Sequence, residues 1–260
     1  MKKNVLMLAL LLAVGGWQQA FGQWKGVAGG LGYTFGSATV GAAGYNSTTG
    51  GGAYEQKRKY NVATFNLMAA GGHAFWDMNF GLPVKKSDKI GNVFNTKLAF
   101  GGYLGKRLGI MVGGQYNYIT IPDLEMPSPY VSSFEGAKTW NQRGVGAHLL
   151  LNPSGKEDGK LLLRFSLMNE WLRRDKKKYK GDGGTFEGAL YWTDSERSIG
   201  LQLVATFSNL KWDSYQDSSN KTIPENKVNV FNCAATLLLP LSACGGASST
   251  RTTIITITPK

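Results

Sequence analysis

Between Asn92 and Thr120 apolar and polar side chains alternate with a period of two. Phe94, Thr96, Leu98, Phe100, Gly102 and Leu104 fall on one face, and Asn95, Lys97, Ala99, Gly101 and Tyr103 on the other, the pattern of an extended strand. After Gly105-Lys106-Arg107 it resumes, with Leu108, Ile110, Val112, Gly114, Tyr116 and Tyr118 against Gly109, Met111, Gly113, Gln115 and Asn117. Cross-strand partners share a face, so pairing Leu104 with Leu108 and Phe100 with Val112 requires the three-residue turn Gly105 to Arg107. Lys97 then faces Gln115, and Asn95 faces Asn117. The apolar row ends in tyrosines, as it does in a strand pair that crosses a bilayer with aromatic residues at the interface. A hairpin of a water-soluble sandwich shares the alternation, so this segment alone leaves both readings open.

The same alternation recurs in Trp24 to Phe35, Tyr60 to Met68, His73 to Leu82, Lys138 to Leu151, Lys160 to Leu172, Thr185 to Trp192, Arg197 to Asn209 and Lys227 to Leu239. In the sixth strand Val145, Ala147, Leu149 and Leu151 share a face. In the seventh Leu161, Leu163, Phe165, Leu167 and Trp171 point outward, against Arg164, Ser166, Met168 and Glu170 inward. The connections sort by length. Gly36 to Lys59, Pro83 to Gly91, Ile121 to Ala137, Arg173 to Gly184 and Lys211 to Asn226 are long, whereas Ala69 to Gly72, Gly105 to Arg107, Asn152 to Gly159 and Thr193 to Glu196 are short. Long outer loops and short inner turns are the habit of membrane barrels, and an even strand number closes one without a free edge. The expected fold class is all-β, a closed antiparallel transmembrane β-barrel of ten strands, with eight as the alternative.

Met1 to Gly22 carries Lys2 and Lys3, an apolar run from Val5 to Val14 and the small-x-small ending Ala20-Phe21-Gly22, which reads as a secretory signal peptide. Residues 23–240 would form the barrel and residues 241–260 an extension, because the tail after Pro240 lacks the terminal aromatic residue common in bacterial barrels. No later apolar run reaches the eighteen or so residues of a spanning helix. The mean hydropathy of −0.19 and 35 glycines suit a barrel in which every second side chain faces the interior. Cys233 and Cys244 lie near the carboxyl end; a free buried thiol is the expected state.

On its signal peptide, on hairpins such as Phe94 to Tyr118 and on its loop segregation, the chain resembles the small single-domain outer-membrane β-barrel proteins of Gram-negative bacteria, the porin-like barrels of eight and ten strands. The resemblance covers most of Trp24 to Leu239 and carries no diagnostic motif. It implies an outer-membrane location. It leaves function open among adhesins, ligand-binding barrels, narrow channels and a few enzymes.

The chemistry narrows that choice. The net charge is +12, or +10 without the two lysines of Met1 to Gly22. The densest basic cluster is Arg173, Arg174, Lys176, Lys177, Lys178 and Lys180, candidates for binding the phosphates of lipopolysaccharide or another external anion. Nucleic acid is not expected as a partner of an exported barrel. The candidate polar lumen is Lys97, Gln115, His148, Arg164, Glu170 and Gln202; pairing Leu151 with Leu161 would set His148 opposite Arg164. Buried charges need partners, so these residues are expected to fill the lumen. Asp123/Glu125 and Asp182/Glu187 read as solvated loop acids. With only His73 and His148 as candidate bases and no metal-ligand spacing, no catalytic residue, metal or cofactor is expected. The expected function is a non-enzymatic outer-membrane barrel that binds surface glycolipid or an external ligand, or has a structural envelope role. A narrow solute channel is the alternative, and an outer-membrane lipid hydrolase or acyltransferase the further one.

Overall fold

The computed structural model describes residues 26–42, 46–47, 50–51, 54–70, 73–84, 93–105, 107–120, 139–155, 161–174, 179–194, 199–216, 222–223 and 225–242. The expected signal peptide, the Pro-rich segment Ile121 to Ala137, Cys244 and, of the expected extension 241–260, everything after Ser242 lie outside them. Ten strands form the barrel: β1 (Gly26–Ala42), β2 (Tyr54–Ala70), β3 (Ala74–Pro83), β4 (Val93–Leu104), β5 (Leu108–Thr120), β6 (Thr139–Leu151), β7 (Leu161–Arg174), β8 (Tyr179–Asp194), β9 (Ile199–Trp212) and β10 (Asn226–Ser242). Every strand pairs antiparallel with its sequence neighbours, and β1 pairs with β10 to close the sheet. Closure leaves no unpaired backbone edge. Two short ladders, 46–47 with 50–51 and 215–216 with 222–223, sit at the end where the longer connections gather. That end is called the loop end here, and the opposite one the turn end.

The β4–β5 hairpin has the register its alternation predicts. Leu104 pairs with Leu108, Phe100 with Val112, Lys97 with Gln115 and Asn95 with Asn117. Gly105 takes φ +73° in the intervening turn, a conformation that costs a residue without Cβ nothing. The next turn is held by its own side chain: Asn152 Oδ1 accepts from Gly155 N at 3.1 Å and from Ser154 Oγ at 2.8 Å.

Three expectations are corrected. Leu151 pairs with Leu163 rather than Leu161, so His148 stands opposite Ser166, and Arg164 opposite Leu150. Several strands outrun their apolar pattern. Gly36 to Ala42, Tyr54 to Lys59 and Lys180 to Gly184, all expected in loops, continue the ladders of β1, β2 and β8. Beyond the apolar band the backbone goes on pairing although the outer face no longer carries an apolar row to mark the strand. Third, Glu187 is no loop acid, since its side chain is buried inside the barrel.

Outward, each strand contributes at least one large exposed apolar side chain: Leu31, Phe65, Leu82, Leu98, Val112, Val145, Leu167, Phe186, Leu203 and Leu237 in strand order. Leu31 is 74% exposed and Leu167 68%. The result is a continuous apolar girdle, and the hydrophobic residues of this protein are inverted relative to a water-soluble core. Cys233 is a free thiol on this outer face. Among the described residues no helix is long and apolar enough to cross a membrane.

Candidate functional site

The interior is built in layers from the turn end upward. First comes an apolar plug. Met68, Phe75, Met111, Leu150, Leu162, Tyr191 and Leu238 are all buried and packed together with Ala99 and Ala189. Phe75 and Tyr191 meet edge to face, their ring centroids 6.0 Å apart. Glycine makes room for this packing: a Cβ on Gly113 would fall 2.7 Å from Ala99 Cβ and closer still to the Leu98 carbonyl.

Above the plug lies a charged layer that bridges opposite walls. Arg164, 1% exposed, donates from Nη2 to Glu187 Oε1 at 2.7 Å, and lies 3.8 Å from Asp77 Oδ2. Its guanidinium stacks over Phe75 at 4.3 Å and Tyr191 at 5.4 Å, so the cation rests on the aromatic top of the plug. Lys97 reaches from β4 to the other oxygen of Glu187 on β8. Thr206 Oγ1 donates to that oxygen at 3.2 Å. Asp77 accepts from Asn66 Nδ2 at 2.8 Å and Gln202 Nε2 at 3.2 Å. Two cations thus meet two carboxylates with neutral donors around them, the condition under which charge is tolerated away from water.

All six candidate lumen residues point inward and are buried. Lys97, Arg164 and Gln202 belong to the charged layer. Gln115 and Glu170 are joined separately, Gln115 donating from Nε2 to Glu170 Oε1. Gly144 lies between these two on β6, paired with both, and the absent side chain lets Glu170 pass. His148 Nδ1 is 2.7 Å from Ser166 Oγ. A hydroxyl beside an imidazole is the start of a nucleophilic pair, but both residues are sealed in the wall packing, and His148 Nε2 has no orienting partner. Asp77 and Glu187, the acids that organise the layer, were absent from the predicted lumen. Their signal was parity, because Glu187 shares a face with Ala189 and Tyr191 inside the predicted strand Thr185 to Trp192. His73 lies at a turn, with Nδ1 2.9 Å from the Gly101 carbonyl. Among the described residues no three His, Cys, Asp or Glu side chains are grouped to hold a metal.

Towards the loop end a cavity of about 130 Å³ opens above the charged layer, walled by amides, hydroxyls and small aliphatics. Outside, where the apolar girdle ends on the loop side, the wall turns basic. Lys57 and Lys59 on β2, Arg143 on β6, Arg173 on β7, Lys180 on β8 and Lys227 on β10 are exposed, and Lys211 on β9 is partly so. Arg173 stands directly opposite Lys180, and Lys211 opposite Lys227. Asp182 lies opposite Lys211, and Glu225 pairs with Lys211 at 2.5 Å. Of the predicted basic cluster, Arg173 and Lys180 are therefore on strand walls. Arg174 ends β7, and Lys176, Lys177 and Lys178 lie outside the described residues.

No family model matches the sequence, and neither does any curated protein. Solved structures do resemble it. The outer membrane protease OmpT of Escherichia coli is 10% identical, with 86% of this chain and 100% of that one covered at a TM-score of 0.45. An outer membrane channel of Pseudomonas putida F1 is 11% identical over 85% of this chain and 98% of that one, at 0.41. The outer membrane protein OprG of Pseudomonas aeruginosa is 10% identical over 84% and 97%, at 0.38. The protein is a closed antiparallel β-barrel of ten strands, similar in architecture to these outer-membrane barrels.

Proposed function

We propose that the protein is a non-enzymatic barrel of the outer membrane, closed to conduction, that binds anionic surface glycolipid along its loop-side wall. The observation that carries this reading is the sequence of surfaces along the outer wall. Among the described residues, an apolar girdle on all ten strands gives way at the loop end to a basic arc over β6 to β10 and β2. Hydrocarbon matches the first and lipid phosphate the second. Like charges set directly opposite each other, as in Arg173 with Lys180, are destabilising in an isolated sheet. An anion bound between them removes that cost. The leader-like pattern of Met1 to Gly22 supports export, and it would place the loop end outside.

The test is binding of purified lipopolysaccharide to the barrel in detergent micelles. Glutamine at Arg173, Lys180, Lys211 and Lys227 together should weaken binding about tenfold or more and flatten its dependence on salt. Unchanged affinity and salt dependence in that variant would remove the glycolipid reading.

The plug supports a lumen closed to conduction. In planar bilayers the native protein should show no stepwise conductance, whereas the double variant Phe75→Gly, Tyr191→Gly, which strips the aromatic support beneath Arg164, should show some. Discrete openings of the native barrel would instead favour a solute channel.

A further inference from the structure

We propose that the loop-side half of the lumen is a binding cup for a neutral, polyhydroxylated molecule of about hexose size. This site goes beyond the glycolipid reading, because it is inside the barrel and its chemistry does not depend on the outer wall.

The first observation is a buried surface left chemically incomplete. Thr64 and Gln202 are 6% and 2% exposed, both line the cavity, and Thr64 Oγ1 and Gln202 Oε1 have no hydrogen-bond partner. Asn232 Oδ1, also on the cavity wall, is in the same condition. These atoms belong to one stretch of wall. Gln202 on β9 is opposite Thr236 on β10, which is opposite Gly32 on β1, which is opposite Thr64 on β2. Two inward positions nearer the loop end, past Ala234 and Thr34, Asn232 is opposite Gly36. Buried polar atoms are nearly always satisfied, and of the exceptions in this lumen these three belong to residues of one cavity wall, where a ligand would supply the missing partners.

The second observation selects the class of ligand. The charges at the floor are already matched, Lys97 with Glu187 and Arg164 with both Glu187 and Asp77. Among the described residues lining the cavity no unpaired cation is left to hold an anion, and the two carboxylates are occupied. What remains free is two amide carbonyl oxygens and a hydroxyl, which ask for donors. The surrounding amides and hydroxyls both donate and accept. An alcohol group is the ligand function that does both. Val62, Val204 and Val230 line the same space, a surface suited to the C–H face of a sugar or cyclitol. A cavity of about 130 Å³ holds several waters, the scale of a small polyol or a single sugar ring.

The experiment uses the full barrel in a zwitterionic detergent without a sugar headgroup. It is titrated calorimetrically with D-glucose and myo-inositol, and with glucose 6-phosphate and glucosamine as charged comparators. Saturable binding of a neutral probe is expected, with neither charged comparator binding more tightly. Thr64→Val and Asn232→Leu should each weaken binding about tenfold, the effect of about one lost hydrogen bond in a buried site. Thr64→Val should melt no lower than the native protein, because the hydroxyl it removes has no partner within the fold. No saturable binding of either neutral probe would overturn the proposal. So would tighter binding of a charged comparator, or neutral binding that is unchanged in both variants.

Discussion

Arginine in place of Leu167 should destabilise the barrel in lipid vesicles by about 2–4 kcal/mol, the cost of a basic side chain on the lipid face near the bilayer midplane. Leu167 sits in the middle of β7, paired with Ala147 and Phe186, and is 68% exposed. The fold itself asks nothing apolar of it. In water an exposed leucine exchanged for arginine changes stability by no more than about 0.5 kcal/mol, so the size of the effect reports the medium and not the packing. Leu104 supplies the depth control. It is also exposed and outward-facing, but it lies at the turn-end rim beside Gly105, where the same change should cost about 0–1 kcal/mol. Urea unfolding from vesicles, followed by the gel shift between folded and heated forms, measures both. Equal, small effects at the two positions would mean that the girdle does not contact lipid.

The pattern of the chain was legible where lipid and lumen act on opposite faces, and illegible elsewhere. Parity excluded the even-length turns, which would have put Leu104 against Arg107 or Gly109, and turn chemistry favoured the short odd one, Gly105 to Arg107. The same reasoning could not place His148. A slip of two residues between β6 and β7 leaves every side chain on its own face, so pairing Leu151 with Leu161 or with Leu163 reads identically in sequence. The structure has the second pairing, and the glycine-rich turn between them gave no independent register. Strand ends were lost for a different reason. In Gly36 to Ala42 and Tyr54 to Lys59 the ladder extends past the girdle into a region where both faces are polar or small, and alternation disappears while pairing persists. Glu187 was misread through its grouping with Asp182, although it lies inside the predicted strand Thr185 to Trp192. Once Lys180 to Gly184 is taken for a loop, an acid soon after looks solvated, yet it is the residue on which the charged layer converges. The basic arc was half legible. Arg173 and Lys180 are close in sequence, whereas Lys57, Arg143, Lys211 and Lys227 join them only through the closed sheet.

The largest single loss inside the barrel is expected at that acid. Glu187→Leu removes the carboxylate shared by Lys97 and Arg164 and leaves Lys97 buried without its counter-charge, while Arg164 keeps only Asp77 at 3.8 Å. Deleting one partner of a buried ion pair costs about 3–5 kcal/mol, and here one deletion strands two cations. Asp77, directly opposite Lys97 in the β3–β4 ladder, is then the carboxylate left for both cations, while it also accepts from Asn66 and Gln202. The double variant Lys97→Met, Glu187→Leu separates the value of the pair from the penalty of breaking it. Exchanging both charges for apolar groups of similar length is often close to neutral, so the double variant should recover much of the stability that Glu187→Leu loses. The sum of the two single losses should exceed the loss in the double, a coupling expected within the range of about 0.5–3 kcal/mol for residues in one network. Equilibrium unfolding of all four proteins in the same micelles gives the cycle. Additive losses would show that Lys97 and Glu187 are stabilised independently, with the bridge across the barrel contributing nothing of its own. Recovery in the double variant would make the network a device for excluding the wrong lumen packing, since each charge is harmless only when its partner arrives from the opposite wall.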